Sequence, residues 1–250
     1  MEFRQYDSVK AFDTARAGAD DVMFVDGAEI LAQGLAGKVT IGPAIFFDAT
    51  AVMVPNSSPV NRLADLAGKS LCFYQGTNAE RDMDAWMAAR KLDFVRKGFM
   101  EYVETYDTYN AQVCGALVDE LQDLAAERLD PADKALGSRI LSEPLATFPV
   151  FAATPTADGQ WSQIVALAIA TLQRAEIPAA PWKASGLDSL RVQAPELGLA
   201  EDWQSRVVGA AGNYADIYAR NLGEGSLLKL PRGPNAPVEL GGWFATPFDD

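Results

Sequence analysis

The sequence predicts an α/β fold, and three stretches carry that expectation. Glu2 to Tyr6 alternates polar and apolar residues as a strand does, and a helix capped by Asp7 or Ser8 follows, with Val9, Phe12 and Ala15 or Arg16 on one side. Asp21-Val22-Met23-Phe24-Val25 is a continuous apolar run of the kind buried on both faces of a parallel sheet, so the opening reads β-α-β. Leu63 to Asn78 reads as a turn at Gly68-Lys69, a short strand Leu71-Cys72-Phe73-Tyr74, and a Gln75-Gly76-Thr77-Asn78 loop leading into a helix.

The remaining elements follow in order. Glu29 to Leu35 reads as a short helix stopped by glycines. Val39 to Ile41 and Ile45 to Val54 read as two strands separated by Pro43. Ala79 to Lys91 is a helix with Met83, Trp86, Met87 and Arg90 at core-facing spacing. Phe94 to Met100 suits either strand or loop. Tyr106 to Gln112 reads as a helix and Val113 to Val118 as a buried strand, with Asp119 and Glu120 at its C-terminal end, where ligands gather in open α/β sheets. Leu121 to Arg128 is helical, Pro131 breaks it, and Arg139 to Leu141 is a strand. Glu143 to Phe151 is an extended connector. Trp161 to Ala175 is the clearest helix, capped by Asp158. Beyond Pro178 and Pro181 come helices at Asp202 to Val208 and Asn213 to Asn221, then Pro/Gly-rich coil.

Composition removes several function classes. The 250 residues carry a formal net charge of −13 with no basic stripe, so nucleic acid is not an expected partner. The chain has no histidine and two cysteines, which removes His-based nucleophilic catalysis and the usual zinc sites. No cofactor, metal or enzyme activity is expected, although carboxylate or lysine chemistry stays open. No apolar run approaches the roughly 20 residues of a membrane span, and the N-terminus lacks a signal-peptide core.

The Gly76-Thr77-Asn78 loop at a helix N-terminus has two readings. It is a seat for a carboxylate or phosphate, or an ordinary capped turn.

Several segments in order resemble a known family. They are Phe46-Phe47-Asp48 with Val52-Met53-Val54-Pro55; Leu71-Cys72 with Gln75-Gly76-Thr77; Val113-Cys114; Ser142-Glu143-Pro144-Leu145; and Asp158-Gly159-Gln160-Trp161. The tail adds Gly212-Asn213-Tyr214, Arg220-Asn221, Gly225-Ser226, Arg232-Gly233, Asn235-Ala236 and Gly241-Gly242. The chain resembles the periplasmic solute-binding proteins of polar amino-acid ABC transporters, in particular the general L-amino-acid-binding branch.

That resemblance implies a two-lobed, type II periplasmic-binding-protein-like fold with two crossing hinge strands. Lobe 1 would comprise residues 1–55 and 146–250, including a C-terminal extension, and lobe 2 residues 56–145. It implies capture of a small polar, amino-acid-like ligand between the lobes, delivery to ABC permease subunits, and a periplasmic location. It also implies a disulfide between Cys72 and Cys114, the alternative being two buried thiols.

Two departures qualify it. The family has a strand and helix ahead of the strand at Glu2, so either the chain is truncated or the first lobe is built differently. The Arg with which the family grips the ligand's α-carboxylate falls on Val25, followed by Asp26, and a second Arg falls on Gln33. The Asp that takes the α-ammonium falls on Glu120, beside Asp119. The expected ligand-binding set is therefore Gly76, Thr77, Asn78, Asp119, Glu120, Asp26, Phe46 and Phe47, with weakened or altered specificity. Phe46, Phe47 and Tyr74 are read equally well as packing aromatics, and the acids as solvated residues. A ligand-silent interaction or sensor-partner protein is the alternative function, and an enzyme acting through Glu120 and Thr77 the third.

Overall fold

The computed structural model describes residues 20–27, 39–177 and 195–245. The expected elements at Glu2–Arg16 and Glu29–Leu35, and Gln33 itself, lie outside these. The described strands are β1 (Met23–Asp26), β2 (Val39–Pro55), β3 (Ser70–Tyr74), β4 (Val95–Phe99), β5 (Ala116–Glu120), β6 (Ser138–Ile140) and β7 (Ala146–Pro155). The described helices are α1 (Asn78–Arg90), α2 (Tyr102–Asn110), α3 (Leu121–Glu127), α4 (Pro131–Leu136), α5 (Gly159–Arg174), α6 (Trp203–Ala211) and α7 (Tyr214–Asn221). The chain forms two compact units. The first comprises residues 1–47, 149–218 and 232–250, and the second residues 48–148 and 219–231.

In the second unit the strand order is β6-β2-β5-β3-β4. β3 runs parallel to β4 and β5, and β5 lies antiparallel to β2 with Thr50 opposite Glu120 and Ala51 opposite Asp119. The sheet is covered on both faces, which explains why Leu71 to Phe73 of β3 and Ala116 to Val118 of β5 are apolar at successive positions rather than alternating. Val52, Val54, Leu71, Phe73, Ala116 and Val118 pack with Met83, Trp86 and Met87 of α1. The residues between them, Met53, Cys72 and Leu117, pack with Tyr109 of α2 and Leu124 of α3. Cys72 and Cys114 form a disulfide with their Cα atoms 5.7 Å apart. Cys114 lies two residues ahead of β5 rather than on the strand.

Several sequence expectations shift or are settled. Pro43 does not divide β2, which is one strand of 17 residues. Its pairs with β5 and β6 lie at Thr50 to Pro55, so Pro43 sits where no donor is needed toward those strands. Residues 95–99 are a strand, and 146–155 are a strand rather than a connector. Pro131 starts a helix instead of breaking one, because Asp130 caps it through the backbone N–H of Ala132 and a proline at the first helical position forfeits no bond.

The loop after β2 is held by one side chain. The Arg139 guanidinium donates to the carbonyls of Pro55 (2.8 Å), Asn56 (3.1 Å), Ser58 (3.0 Å) and Val60 (2.6 Å), and to Asn61 Oδ1 (3.3 Å). Arg139→Met is expected to lower the unfolding free energy by about 3 kcal/mol in urea melts, with Arg139→Lys recovering less than half, because a point charge cannot reproduce the planar fork. A change below about 0.5 kcal/mol, the range of an ordinary surface substitution, would contradict this role.

In the first unit β1 pairs antiparallel with β7, placing Val25 opposite Phe151. Met23, Val25 and Ala153 form a small core with Val39 and Phe151. Polar side chains satisfy the backbone of β2 here. Gln173 donates to the Ala44 carbonyl, Tyr214 to the Ile45 carbonyl, and Asn235 both accepts from Phe47 N–H (2.7 Å) and donates to its carbonyl (2.9 Å). Arg232 makes a two-pronged pair with buried Glu176 at 2.8 and 2.9 Å, which fixes the segment carrying Asn235.

Candidate functional site

The parallel strands β3, β4 and β5 end on one side of the second unit, and the functional candidates there are the residues that follow those ends. After β3, Gly76 adopts a φ of +79°, which turns the chain into α1 with Thr77 as its N-cap. Thr77 does not cap through its hydroxyl, which donates to the Tyr74 carbonyl at 2.7 Å. The Gly76 N–H is taken by Glu80 of α1, at 2.8 Å. Glu80 also reaches Arg96 on β4, and Arg96 reaches Asp84. The anion seat suggested by the sequence thus has an acid of the chain itself on one of its donors. Asn78 turns toward the end of β5, its amide 3.5 Å from the Glu120 carboxylate.

Asp119, on β5, is almost fully buried. Its Oδ2 accepts from the Tyr106 hydroxyl at 2.6 Å and its Oδ1 from the Glu120 N–H at 2.9 Å. Burial pushes its pKa up to about 6 against those two hydrogen bonds. Burial likewise raises Asp123, four residues further on in α3. Burial and the neighbouring Asp119 raise both Tyr102 and Tyr106, which stay protonated donors. The rings of Tyr74, Tyr102 and Tyr106 form a row, with centroids 4.4 Å apart for the first pair and 6.0 Å for the second.

Asp48 joins this group. It is 1% exposed; its Oδ1 accepts from Ala49 N–H at 2.7 Å, while its Oδ2 is buried with no hydrogen-bond partner among the described residues. Burial raises its pKa to about 7, and the charged groups that act on it are Asp123 and Asp119. Thr50, two residues on, donates to Asp82 of α1 at 2.6 Å.

Of the residues expected from the sequence, Gly76, Thr77, Asn78, Asp119 and Glu120 lie together at these strand ends. Asp26, Phe46 and Phe47 belong to the first unit. Asp26 is buried at the end of β1. Phe46 stacks on Tyr218, and Phe47 packs edge-on against Trp243 and tilted against Phe244. Asp48, Tyr102, Tyr106 and Asp123 escaped the sequence reading as site residues. Tyr102 and Tyr106 are one helical turn apart on α2, a signal hidden by placing the α2 boundary four residues late. Among the described residues no three His, Cys, Asp or Glu side chains converge as a metal site, and no helix is long and apolar enough to cross a membrane.

Comparison with known proteins agrees with this architecture, although no family model matches the chain. It is 25% identical to the general L-amino acid-binding periplasmic protein AapJ of Rhizobium johnstonii, over 97% of this chain and 75% of the relative. It is 24% identical to the glutamate/glutamine/aspartate/asparagine-binding protein BztA of Rhodobacter capsulatus, over 81% of this chain and 64% of that protein, so it spans less than two thirds of that relative's length. Among solved structures, an ABC transporter periplasmic binding protein from Brucella ovis with glutathione bound superposes with a TM-score of 0.75. That match has 25% identity and covers 94% of this chain and 79% of the other. The chain is thus a homologue of amino-acid-binding periplasmic proteins of ABC transporters, and its fold is that of the type II periplasmic binding proteins.

Proposed function

We propose that the protein is an extracytoplasmic solute-binding protein that takes a small polar, amino-acid-like ligand and hands it to the permease subunits of an ABC importer. It acts as a receptor rather than an enzyme, and its specificity is shifted away from ordinary free α-amino acids. The observation that carries this reading is the convergence of Asp119, Glu120, Asn78, Tyr102 and Tyr106 at the carboxyl edge of β3 and β5, where open α/β sheets bind ligands. The likeness to AapJ and BztA supports the class of protein.

The shift in specificity rests on Val25. At the place where the resemblance expects an Arg for the ligand carboxylate, this side chain is 2% exposed and packs in the β1–β7 core. A charge-assisted pair of that kind contributes about 1.5–3 kcal/mol, so its loss weakens binding roughly tenfold to two-hundredfold. Isothermal titration at pH 7.5 is expected to give L-glutamate and L-glutamine dissociation constants weaker than about 10 μM. Micromolar or tighter binding of either would remove the altered specificity and leave the receptor. Binding of no amino acid, amine or betaine would remove the receptor and favour the interaction-protein alternative.

A further inference from the structure

The groups at the carboxyl edge of the second unit are chemically one-sided. Asp48, Asp119, Glu120 and Asp123 bring four carboxyls to one end of the sheet, and the charged groups acting on Asp48 and Asp119 are other acids of this set. Two arginines of β4 and α1 are engaged with other acids, Arg96 with Glu80 and Asp84, and Arg81 with Asp82. The Gly76 N–H, a donor that would meet a ligand carboxylate, is occupied by Glu80. A ligand anion entering here meets like charge and finds that donor taken.

A cation meets the reverse. Asp48 is 1% exposed and keeps one carboxyl oxygen buried with no partner among the described residues, an unmet acceptor that an N–H donor would satisfy. The second carboxylate, Asp119, is 2% exposed and is held in place by Tyr106 and the Glu120 N–H. Beside them the Tyr74–Tyr102–Tyr106 row offers ring faces, which attract alkylammonium groups through their quadrupoles. A divalent metal is the other cation that such acids suggest, but no three ligating side chains converge on one point among the described residues. An ammonium needs no such convergence, only acceptors and an apolar flank.

Resting on the receptor reading, we propose that the ligand is an organic ammonium cation without a carboxylate of its own, held by Asp119, Asp48 and Glu120 against the Tyr74, Tyr102 and Tyr106 row. The formal net charge of −13 favours encounter with such a cation and makes its association salt-sensitive. The family relatives' names describe amino-acid ligands, so this assignment departs from them.

The test is isothermal titration of the full chain at pH 8 with 1,4-diaminobutane, L-glutamine and L-glutamate, each variant first shown folded by its thermal melt. The diamine is expected to bind at least tenfold tighter than either amino acid. Asp119→Asn is expected to weaken it at least tenfold. Tyr102→Ala, which removes a ring that is 44% exposed and leaves the core untouched, should weaken it at least threefold. Glu104→Gln, an exposed acid of α2 outside the group, should change it less than twofold. Glutamine or glutamate binding as tightly as the diamine would overturn the cation assignment while leaving the receptor. Diamine binding unmoved by both Asp119→Asn and Tyr102→Ala would mark mere attraction to an acidic surface and also overturn it. No binding by any of the three at millimolar concentration would sink the assignment, and a wider solute screen then decides the receptor reading separately.

Discussion

Acidification from pH 8 to pH 5.5 is expected to stabilise this protein, and Asp48→Asn is expected to flatten that response. Asp48 ionises near 3.8 when unfolded and near 7 when folded, because burial opposes its charge and Asp123 and Asp119 reinforce the effect. Between those values the folded chain binds a proton that the unfolded chain does not. Its contribution to stability is fully present below the unfolded pKa and is lost as pH rises through 7. A shift of that size corresponds to roughly 4 kcal/mol, of which roughly 2 kcal/mol falls between pH 8 and 5.5. Asp119 acts with the same sign up to about pH 6. Urea melts across this range measure the slope directly. Stability that stays level or falls on acidification in the parent chain would contradict the buried, unmet carboxyl. Cation binding should run the other way, since it needs the acids ionised and must expel the proton that stabilises the empty fold. The protein would then be most stable where it binds worst.

Breaking the Cys72–Cys114 bond is expected to cost about 4 kcal/mol. The crosslink joins residues 42 apart, and a loop of that length removes about that much chain entropy from the unfolded state. It encloses β3, α1, β4 and α2, so the second unit loses its main covalent restraint when reduced. Guanidinium melts with and without dithiothreitol isolate the crosslink, while the double Ala variant adds the packing of two side chains in the Met53–Leu117 core. A difference under 1 kcal/mol between oxidised and reduced protein would show that the crosslink is not a main restraint. Such a bond suits an oxidising compartment, consistent with the proposed periplasmic location.

Sequence reading recovered the elements whose signals are local. The Leu63–Asn78 stretch folds as a turn, a strand and a helix capped at Thr77, because Gly68 and Gly76 are the residues that take positive φ there. Asp158 caps α5 as its spacing predicts. What it missed depended on distant partners. Pro43 lies within one 17-residue strand whose pairs with β5 and β6 begin only at Thr50, an arrangement no local pattern reveals. Likewise Asp48 looks like any acid within a strand until Asp119 and Asp123 are brought beside it by β5 and α3. The Gly76 donor could be read from the loop, but its occupancy by Glu80 depends on a rotamer that Arg96, sixteen residues further on, helps to fix.

Asn235 carries a different kind of consequence. Its amide presents one acceptor and one donor to Phe47, as a neighbouring strand would, and yet Asn235 belongs to none of the described strands. A side chain in that role is a full stop in the hydrogen-bond ladder. A bare strand rim invites a second molecule to add its own strand, the first step toward aggregation, and a carboxylate there could accept but not donate. The neutral amide does both at every pH the protein meets, so this stretch of β2 stays closed to recruitment even when acid or ligand resets the charges of the other unit.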